Sequence, residues 1–413
     1  MNFPYTYEKA HYNPLGQFIN MCSYEKEEFI KKANEGVNFH SLKYFSVYFH
    51  ELRHWLDHIG TIWGQNYLIE IYRRFDGILK GKTKKVSILS PFQIHEVLSS
   101  SNLNQVFKHH SSKRNSEIWC MNFRSELLNR VPFFVINFSD KSKQKICKSP
   151  VTFLSLFETN SISEEVGLFF YVLQSFEDED QKFTEKIREA NYYFEIAYNS
   201  EFIEYSAATH IPAGLLKIPN PLFAYRISST INTIVLNLTS RIIKEISQNS
   251  ELRKLNRYHS TLTENRDLGY LVYCLTKNYK NKRSSDRFSR DEFLELNQLP
   301  NPNQFEEEVL KEMENHKRQL PSSNIFKNRF NQQIEQGKEI IKLKGIDGKK
   351  ISVYRFNQEQ KIKPAMIFAD DYWESESYPD FRKKNVDDFN FPEWYNLIED
   401  LTKRDETLRE KYF

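Results

Sequence analysis

Residues 45–64 read FSVYFHELRHWLDHIGTIWG, and this stretch decides how the rest of the chain is interpreted. Within it, His50 and His54 enclose Glu51 in an H-E-x-x-H pattern. On a helix, side chains four residues apart project from the same face, so the two imidazoles can bind one metal ion. Glu51 follows the first of them and can reach a water molecule on the open side of the ion, as a general base must. The pattern therefore predicts a catalytic metal site on a helix.

The residues around the motif predict a buried helix over residues 41–59. Apolar side chains recur through it at helical spacing, namely Phe45, Val47, Tyr48, Phe49, Leu52, Trp55, Leu56 and Ile59. Gly60 and Thr61 follow the last of them, and this pair is typical of a helix end.

The same stretch resembles the active-site helix of zincin metallopeptidases. The resemblance implies a zinc ion bound by His50 and His54, with Glu51 as general base. The metzincin arrangement needs a glycine before its third histidine, and residues 56–58 read Leu-Asp-His without one. His58 lies two turns after His50, too far along a straight helix to share its ion. The resemblance therefore implies a gluzincin-like third ligand, a carboxylate from a separate helix.

Two glutamates are the leading candidates for that third ligand. Glu204 precedes small residues and forms a Glu-x-x-Ala pattern with Ala207, as gluzincin-like chains often do. Glu96 is the second candidate, because it follows His54 more closely and Ser99 supplies a small neighbour. The remaining alternatives are Glu201, Asp57 and His95.

Two supporting roles stay open on the sequence. Asp57 lies four residues after Arg53, which predicts either an ion pair on the helix or a carboxylate that contacts the His54 ring and orients it for the metal. Hydrolysis also needs a donor to the developing oxyanion. Four residues have suitable chemistry, and the sequence does not choose among Tyr193, Tyr205, His210 and Arg53.

Composition favours helices. The chain has 413 residues but only 12 Gly and 14 Pro, and its 33 Phe and 23 Tyr can build a core. We expect an α+β, predominantly α-helical fold, with a zincin-like catalytic core carrying the H-E-x-x-H helix and a C-terminal extension. The predicted domains are residues 1–247 and residues 248–413. Local patterns predict a strand over 131–138, one long helix over 228–247 and a hairpin over 340–355.

Charge and cysteine content argue against other classes of protein. The net charge is only +3, and the basic loops lack a recognisable binding motif, so we do not expect nucleic-acid binding. The four cysteines form no C-x-x-C pair. Neither a signal peptide nor an apolar run of membrane-spanning length is visible. These features predict a cytoplasmic protein without a membrane segment, and the residue usage suggests a bacterial source.

The sequence therefore predicts a zinc-dependent endopeptidase that hydrolyses a protein or peptide substrate. By analogy, its setting is a regulatory, toxin or defence role. The alternative is a non-catalytic module that binds a metal or a partner protein. From residue 370 onward the tail is rich in aromatic residues and carries 13 acidic against 7 basic residues. This acidic tail can bind a partner or fold back as an inhibitory segment.

Overall fold

The computed structural model describes residues 9–81, 98, 105–107, 119–128, 130–350, 363–370, 373–374 and 391–412. In chain order the helices are α1 (Lys26–Glu35), α2 (Leu42–Ile59), α3 (Ile62–Leu79), α4 (Phe153–Leu173), α5 (Glu179–Ala197), α6 (Ile203–Leu216), α7 (Pro221–Leu236), α8 (Ser240–Gln248), α9 (Ser250–Arg253), α10 (His259–Glu264), α11 (Leu268–Lys282), α12 (Arg290–Leu296), α13 (Pro302–His316), α14 (Asn324–Lys344) and α15 (Phe391–Tyr412).

The strands form two small sheets. They are β1 (His11–Asn13), β2 (Phe18–Met21), β3 (Gln105–Val106), β4 (Cys120–Leu128), β5 (Val131–Ser139), β6 (Lys145–Pro150), β7 (Ala365–Phe368) and β8 (Trp373–Glu374). Helix exceeds strand by a wide margin, so the predicted α+β class with a predominance of helix is confirmed. No helix of the described residues is both long and apolar enough to cross a bilayer.

Contacts divide the chain into two compact units. The first consists of the described residues within Met1–Ile88, Leu310–Gly345 and Lys350–Phe413, and the second of those within Leu89–Val309 and Ile346–Lys349. These units are not divided after residue 247. The catalytic domain over residues 1–247 and the C-terminal region over 248–413 stay a prediction.

The sheet of the first unit joins distant parts of the chain. Its strand order is β1-β2-β7-β8, and β2 pairs in parallel with β7 while the other neighbours are antiparallel. Helix α2 packs against β1, β2, α3 and α14. Its aromatic and aliphatic side chains fill the core of this unit, and Trp55 is fully buried there. The motif helix is therefore central to the first unit.

The bounds of α2 agree with the predicted helix over 41–59 to within one residue. The helix ends at Ile59, and the Gly60 N–H donates to Leu56 O at 2.8 Å. The next helix begins directly, because the Thr61 hydroxyl caps α3 by accepting from the Gly64 N–H at 3.0 Å. The Gly-Thr pair thus ends one helix and starts another.

The second unit combines an antiparallel sheet with packed helices. Its strand order is β3-β6-β5-β4, and the predicted strand over 131–138 is confirmed as β5. Helices α4, α6, α7 and α11 pack closely on one another. Most of α4 is buried, including the polar run from Glu158 to Ser161. Polar groups inside a helical core are costly unless they are paired, so we expect the side chains of this run to have polar partners.

Two local predictions were wrong. The stretch 228–247 is two helices, because α7 ends at Leu236 and the Thr239 hydroxyl caps the start of α8 by accepting from the Ile242 N–H at 3.4 Å. The first part of the predicted hairpin over 340–355 is the last turn of α14, which ends before Gly345 with its φ of 74°. Buried Ile340 and Ile341 show that tertiary packing overrides the alternating pattern. Residues 351–355 lie outside the described residues.

Candidate metal centre

His50 and His54 lie on one face of α2. Their side chains are 3% and 8% exposed, and their ring centroids are 4.8 Å apart with the ring planes at 79°. The two rings are therefore neighbours, as their four-residue spacing on a helix predicts, and both are nearly free of solvent contact. Two imidazole nitrogens so placed can bind the same ion.

Glu51 is held by a neighbouring strand. Its Oε2 accepts a hydrogen bond from the backbone N–H of Tyr12, in β1, at 2.8 Å. The carboxylate is buried, so a hydrogen bond from a sheet fixes its orientation rather than leaving it to free rotation. The sequence carries no signal for this contact, because 39 residues separate the two partners.

Arg53 and Asp57 form an ion pair on the same helix. Arg53 Nε lies 2.9 Å from Asp57 Oδ1. One of the two alternatives for Asp57 is therefore seen directly, the ion pair with Arg53. A contact in which the Asp57 carboxylate orients the His54 ring stays a prediction.

His58 is surrounded by aromatic rings one turn beyond His54. Its Nδ1 lies 3.1 Å from the His54 carbonyl oxygen, and its ring centroid is 5.1 Å from that of Tyr12 and 5.8 Å from that of Tyr67. Burial lowers the pKa of His58 to about 3. The neutral ring acts as part of the packing around the motif.

Burial also keeps His54 uncharged. It lowers the pKa of His54 well below the ordinary value of 6.5, and electrostatic interactions with His50, His58 and Arg53 lower that pKa further. The neutral imidazole is the form that binds a metal.

A third ligand is available in Glu158. Among the described residues, one ligand atom from each of His50, His54 and Glu158 lies within 4.8 Å of the other two, and all three residues are buried. Two imidazole nitrogens and one carboxylate oxygen are the donor set of many catalytic zinc sites. The chemistry of the donors therefore fits Zn²⁺.

Glu158 lies in the first turns of α4, and the sequence analysis missed it. The residues after it are polar and buried, and Thr159 Oγ1 lies 2.9 Å from Thr209 Oγ1 of α6. The available signal was the ionisable side chain of Glu158 directly after the largely apolar run FLSLF. A buried carboxylate in such a segment needs a partner.

The two glutamates favoured by sequence stay predictions. Glu204 lies in the first turn of α6 with a half-buried side chain, and it is not a member of the group formed by His50, His54 and Glu158. Glu96 lies outside the described residues, as does His95. Glu201 precedes α6 with an exposed side chain.

Three of the four proposed oxyanion donors have other polar partners. The Tyr193 hydroxyl donates to Glu165 Oε2 at 3.3 Å, and His210 Nε2 lies 2.7 Å from the Ala197 carbonyl oxygen. Burial raises the pKa of Tyr193 well above 10 and lowers that of His210 to about 4. Arg53 is paired with Asp57, whereas Tyr205 has a half-buried side chain. The donor to the oxyanion stays unassigned.

Known proteins give no further guidance about this site. No family model matches the chain, and neither a curated protein nor a solved structure matches it. The interpretation of the centre therefore depends on its residues and their geometry.

Proposed function

We propose that this protein is a zinc-dependent endopeptidase, with His50, His54 and Glu158 as the zinc ligands. The observation that carries the proposal is the convergence of one ligand atom from each of these three buried side chains within 4.8 Å. The position of Glu51, directly after the first ligand, adds a carboxylate suited to proton transfer.

Each residue has a defined part in the proposed reaction. The two imidazoles and Glu158 hold the ion, which when bound supplies a Lewis acid that polarises the substrate carbonyl and makes water more acidic. Glu51 accepts the proton of the attacking water and returns it to the amine that leaves. The Tyr12 N–H holds one oxygen of Glu51 throughout, so the carboxylate needs little reorientation between these two transfers.

The setting proposed for this activity follows the sequence analysis. A protein or peptide is the substrate, and a regulatory, toxin or defence role in a bacterial cytoplasm is the context. The competing hypothesis is a module that binds the metal for structural reasons and cleaves nothing. The two hypotheses agree on zinc content and differ only in what Glu51 does.

The deciding experiment compares the wild-type chain with Glu51→Gln. Zinc content is measured first, and about one ion per chain is expected in both proteins because Glu51 is not a ligand. Both are then incubated with a proteome-derived peptide library, and new termini are identified by mass spectrometry. Glu35→Gln is the control, since Glu35 is exposed and pairs with Lys32 on the surface.

The outcomes separate the hypotheses. New termini with wild type and with Glu35→Gln, but none with Glu51→Gln, support the endopeptidase. Zinc in all three proteins without any cleavage by wild type supports the structural metal module. Absence of zinc from the wild-type chain after zinc loading refutes the metal centre itself.

A further inference from the structure

The C-terminal helix α15 makes a specific contact with the turn between β1 and β2. The indole Nε1–H of Trp394 donates to the carbonyl oxygen of Gly16 at 3.0 Å. The indole is buried, and its ring lies 5.8 Å from that of Tyr72 and 6.0 Å from that of Phe326. A buried, hydrogen-bonded tryptophan has little freedom to move, so the Gly16 carbonyl has a fixed partner.

A second contact from the same helix reinforces the first. The ring of Tyr395 lies 5.3 Å from that of Phe18, the first residue of β2. A Cβ atom on Gly16 would overlap the Phe18 ring, so this position requires glycine for close packing. Two adjacent residues of α15 therefore contact Gly16 and Phe18, the residues before and after Gln17.

The turn itself is tightly hydrogen-bonded. Asn13 Oδ1 accepts from the N–H groups of Leu15 and Gly16 at 3.0 and 2.8 Å, and Asn13 O accepts from the Gln17 N–H at 2.8 Å. Gln17 has a φ of 60°, in the left-handed region. A turn with so many internal bonds moves as one piece rather than absorbing a displacement at one end.

Tyr12 connects this turn to the candidate centre. Its hydroxyl donates to Gln17 Oε1 at 2.6 Å, and its backbone N–H donates to Glu51 Oε2 at 2.8 Å. The side chain and the main chain of one residue thus join the turn to the carboxylate. The contacts form a continuous path from Trp394 through Gly16, Gln17 and Tyr12 to Glu51.

We propose that Trp394 is a positioning residue for Glu51: the C-terminal helix fixes the β1–β2 turn, and the turn fixes the carboxylate through the Tyr12 N–H. The proposal rests on the role of Glu51 as general base. It gives α15 an activating role, because any event that releases Trp394 loosens the carboxylate. If the acidic tail were inhibitory instead, release of Trp394 would raise the activity.

Hydrogen exchange tests the path without requiring activity. The exchange rate of the Tyr12 amide is measured in the full chain for wild type, Trp394→Phe and Tyr395→Phe. Phenylalanine at 394 keeps an aromatic ring but removes the N–H donor, and we expect the Tyr12 amide to exchange about 2- to 10-fold faster, as for the loss of one hydrogen bond. Glu51→Ala removes the acceptor and shows how fast that amide exchanges when it is unbound.

Tyr395→Phe is the matched control. It keeps the ring against Phe18 and removes only the hydroxyl, which donates to Glu399 on the surface of the same helix at 2.6 Å. The exchange rate of the Tyr12 amide is expected to stay at the wild-type value. A second variant separates the loss of the N–H donor from the loss of ring volume. Benzothienylalanine at position 394 keeps the bicyclic shape of the indole and lacks the N–H.

Kinetics provide the second readout. With the library peptide that wild type cleaves fastest, Trp394→Phe is expected to lower kcat about 2- to 10-fold with little change in KM and with full zinc content. A purely structural defect would reduce the fraction of folded, zinc-loaded protein instead. A rise in activity of Trp394→Phe would contradict the positioning role and support the inhibitory one.

The two proposals fail in different ways. An unchanged Tyr12 exchange rate in both position-394 variants, with the proteins folded, overturns the positioning proposal whatever the activity. Faster exchange in both variants supports the path. If wild type then cleaves no peptide, the proposed peptidase activity is wrong, and the link between Trp394 and the Glu51 carboxylate stands.

Discussion

Arg53 and Asp57 form an ion pair inside the protein, with Arg53 Nε 2.9 Å from Asp57 Oδ1 and side chains only 1% and 3% exposed. The pair lies on the same helix as His50 and His54. Moving two charges out of water is expensive, and the cost is offset only while each charge keeps its partner. The stability of the motif helix therefore depends on both members being present.

We predict a large loss of stability when one member of this pair is removed. Arg53→Met keeps much of the side-chain volume but leaves the Asp57 carboxylate without this partner, and the expected cost is about 3–5 kcal/mol. The double variant Arg53→Met/Asp57→Leu removes both charges and is expected to recover a large part of that loss. Urea unfolding of the wild type, both single variants and the double variant gives the coupling energy.

The chain contains a matched control for this prediction. Arg404 and Asp400 have the same four-residue spacing on α15, with Nη2 2.8 Å from Oδ2, but both side chains are exposed. Arg404→Met is expected to cost less than about 1 kcal/mol, as surface pairs do. Equal costs for Arg53→Met and Arg404→Met would show that burial of the pair contributes nothing.

The second prediction concerns the third ligand. Glu158→Ala is expected to weaken zinc binding by more than about 100-fold, because it removes a ligand itself and not only a residue that orients a ligand. Glu204→Ala and Glu96→Ala are expected to bind zinc like the wild type. The measurement is a competition titration with a chromophoric zinc chelator on the four proteins.

The titration also decides between this assignment and the one made from sequence. Loss of zinc from Glu204→Ala or Glu96→Ala, with retention by Glu158→Ala, would restore the sequence-based candidates. Loss of zinc by Glu158→Ala supports the assignment only if the variant is folded, which is checked by far-ultraviolet circular dichroism.

The motif helix shows what the sequence predicts well. Its period, its apolar face and its end at Gly60 are local features, and the observed Leu42–Ile59 helix follows them closely. The spacing of His50 and His54 is a helical property, so their proximity also follows from the sequence. Local pattern and tertiary structure agree here because the helix is packed in the core of its unit.

Contacts between distant segments explain what the sequence analysis missed. Glu158 is far from the motif along the chain, and its local signal, an ionisable side chain after a largely apolar run, does not tell which residues it contacts. The hydrogen bond from Tyr12 to Glu51 uses a backbone N–H, a group that every residue except proline carries. Such contacts depend on the register of a strand and the packing of a helix, which one sequence does not specify.

The third prediction is a pH dependence that originates in Asp267. Its carboxylate accepts hydrogen bonds from the N–H groups of Phe134 and Tyr270 at 2.9 and 2.8 Å, yet burial outweighs them and raises the pKa of Asp267 to about 6 from 3.8. Between these values the folded protein holds the proton more tightly than the unfolded chain does. Stability from this group is therefore fully present below pH 3.8 and is lost as the pH rises through 6.

Asp267→Asn tests this dependence, because asparagine keeps a capping oxygen for the Tyr270 N–H but does not titrate. Relative to the variant, the wild type is expected to lose about 2 kcal/mol of unfolding free energy between pH 4 and pH 7, since a full pH unit of proton linkage contributes about 1.36 kcal/mol. Urea unfolding at intervals of half a pH unit measures the difference. The exposed Asp286→Asn is the control, and a parallel pH curve for wild type and Asp267→Asn would refute the prediction.

The fourth prediction uses two helical glycines with opposite surroundings. A Cβ atom on Gly337 of α14 would overlap the Ile59 carbonyl oxygen and Gln65 Nε2, whereas a Cβ atom on Gly167 of α4 would meet nothing within 4 Å. Gly337→Ala is expected to cost about 1–3 kcal/mol, because the crowded groups must move. Gly167→Ala is expected to stabilise by about 0.5–1 kcal/mol, the usual helix preference for alanine.

Zinc affinity extends this comparison to the candidate centre. Ile59 is the last residue of the motif helix, and Gln65 Nε2 donates to its carbonyl oxygen at 3.0 Å. An added methyl group at position 337 pushes against both partners of that bond, about one turn beyond His54. We therefore expect Gly337→Ala to weaken zinc binding and Gly167→Ala to leave it unchanged, both measured by the same chelator competition. Weaker binding by both variants, or by neither, would show that the end of the motif helix does not control the position of His54.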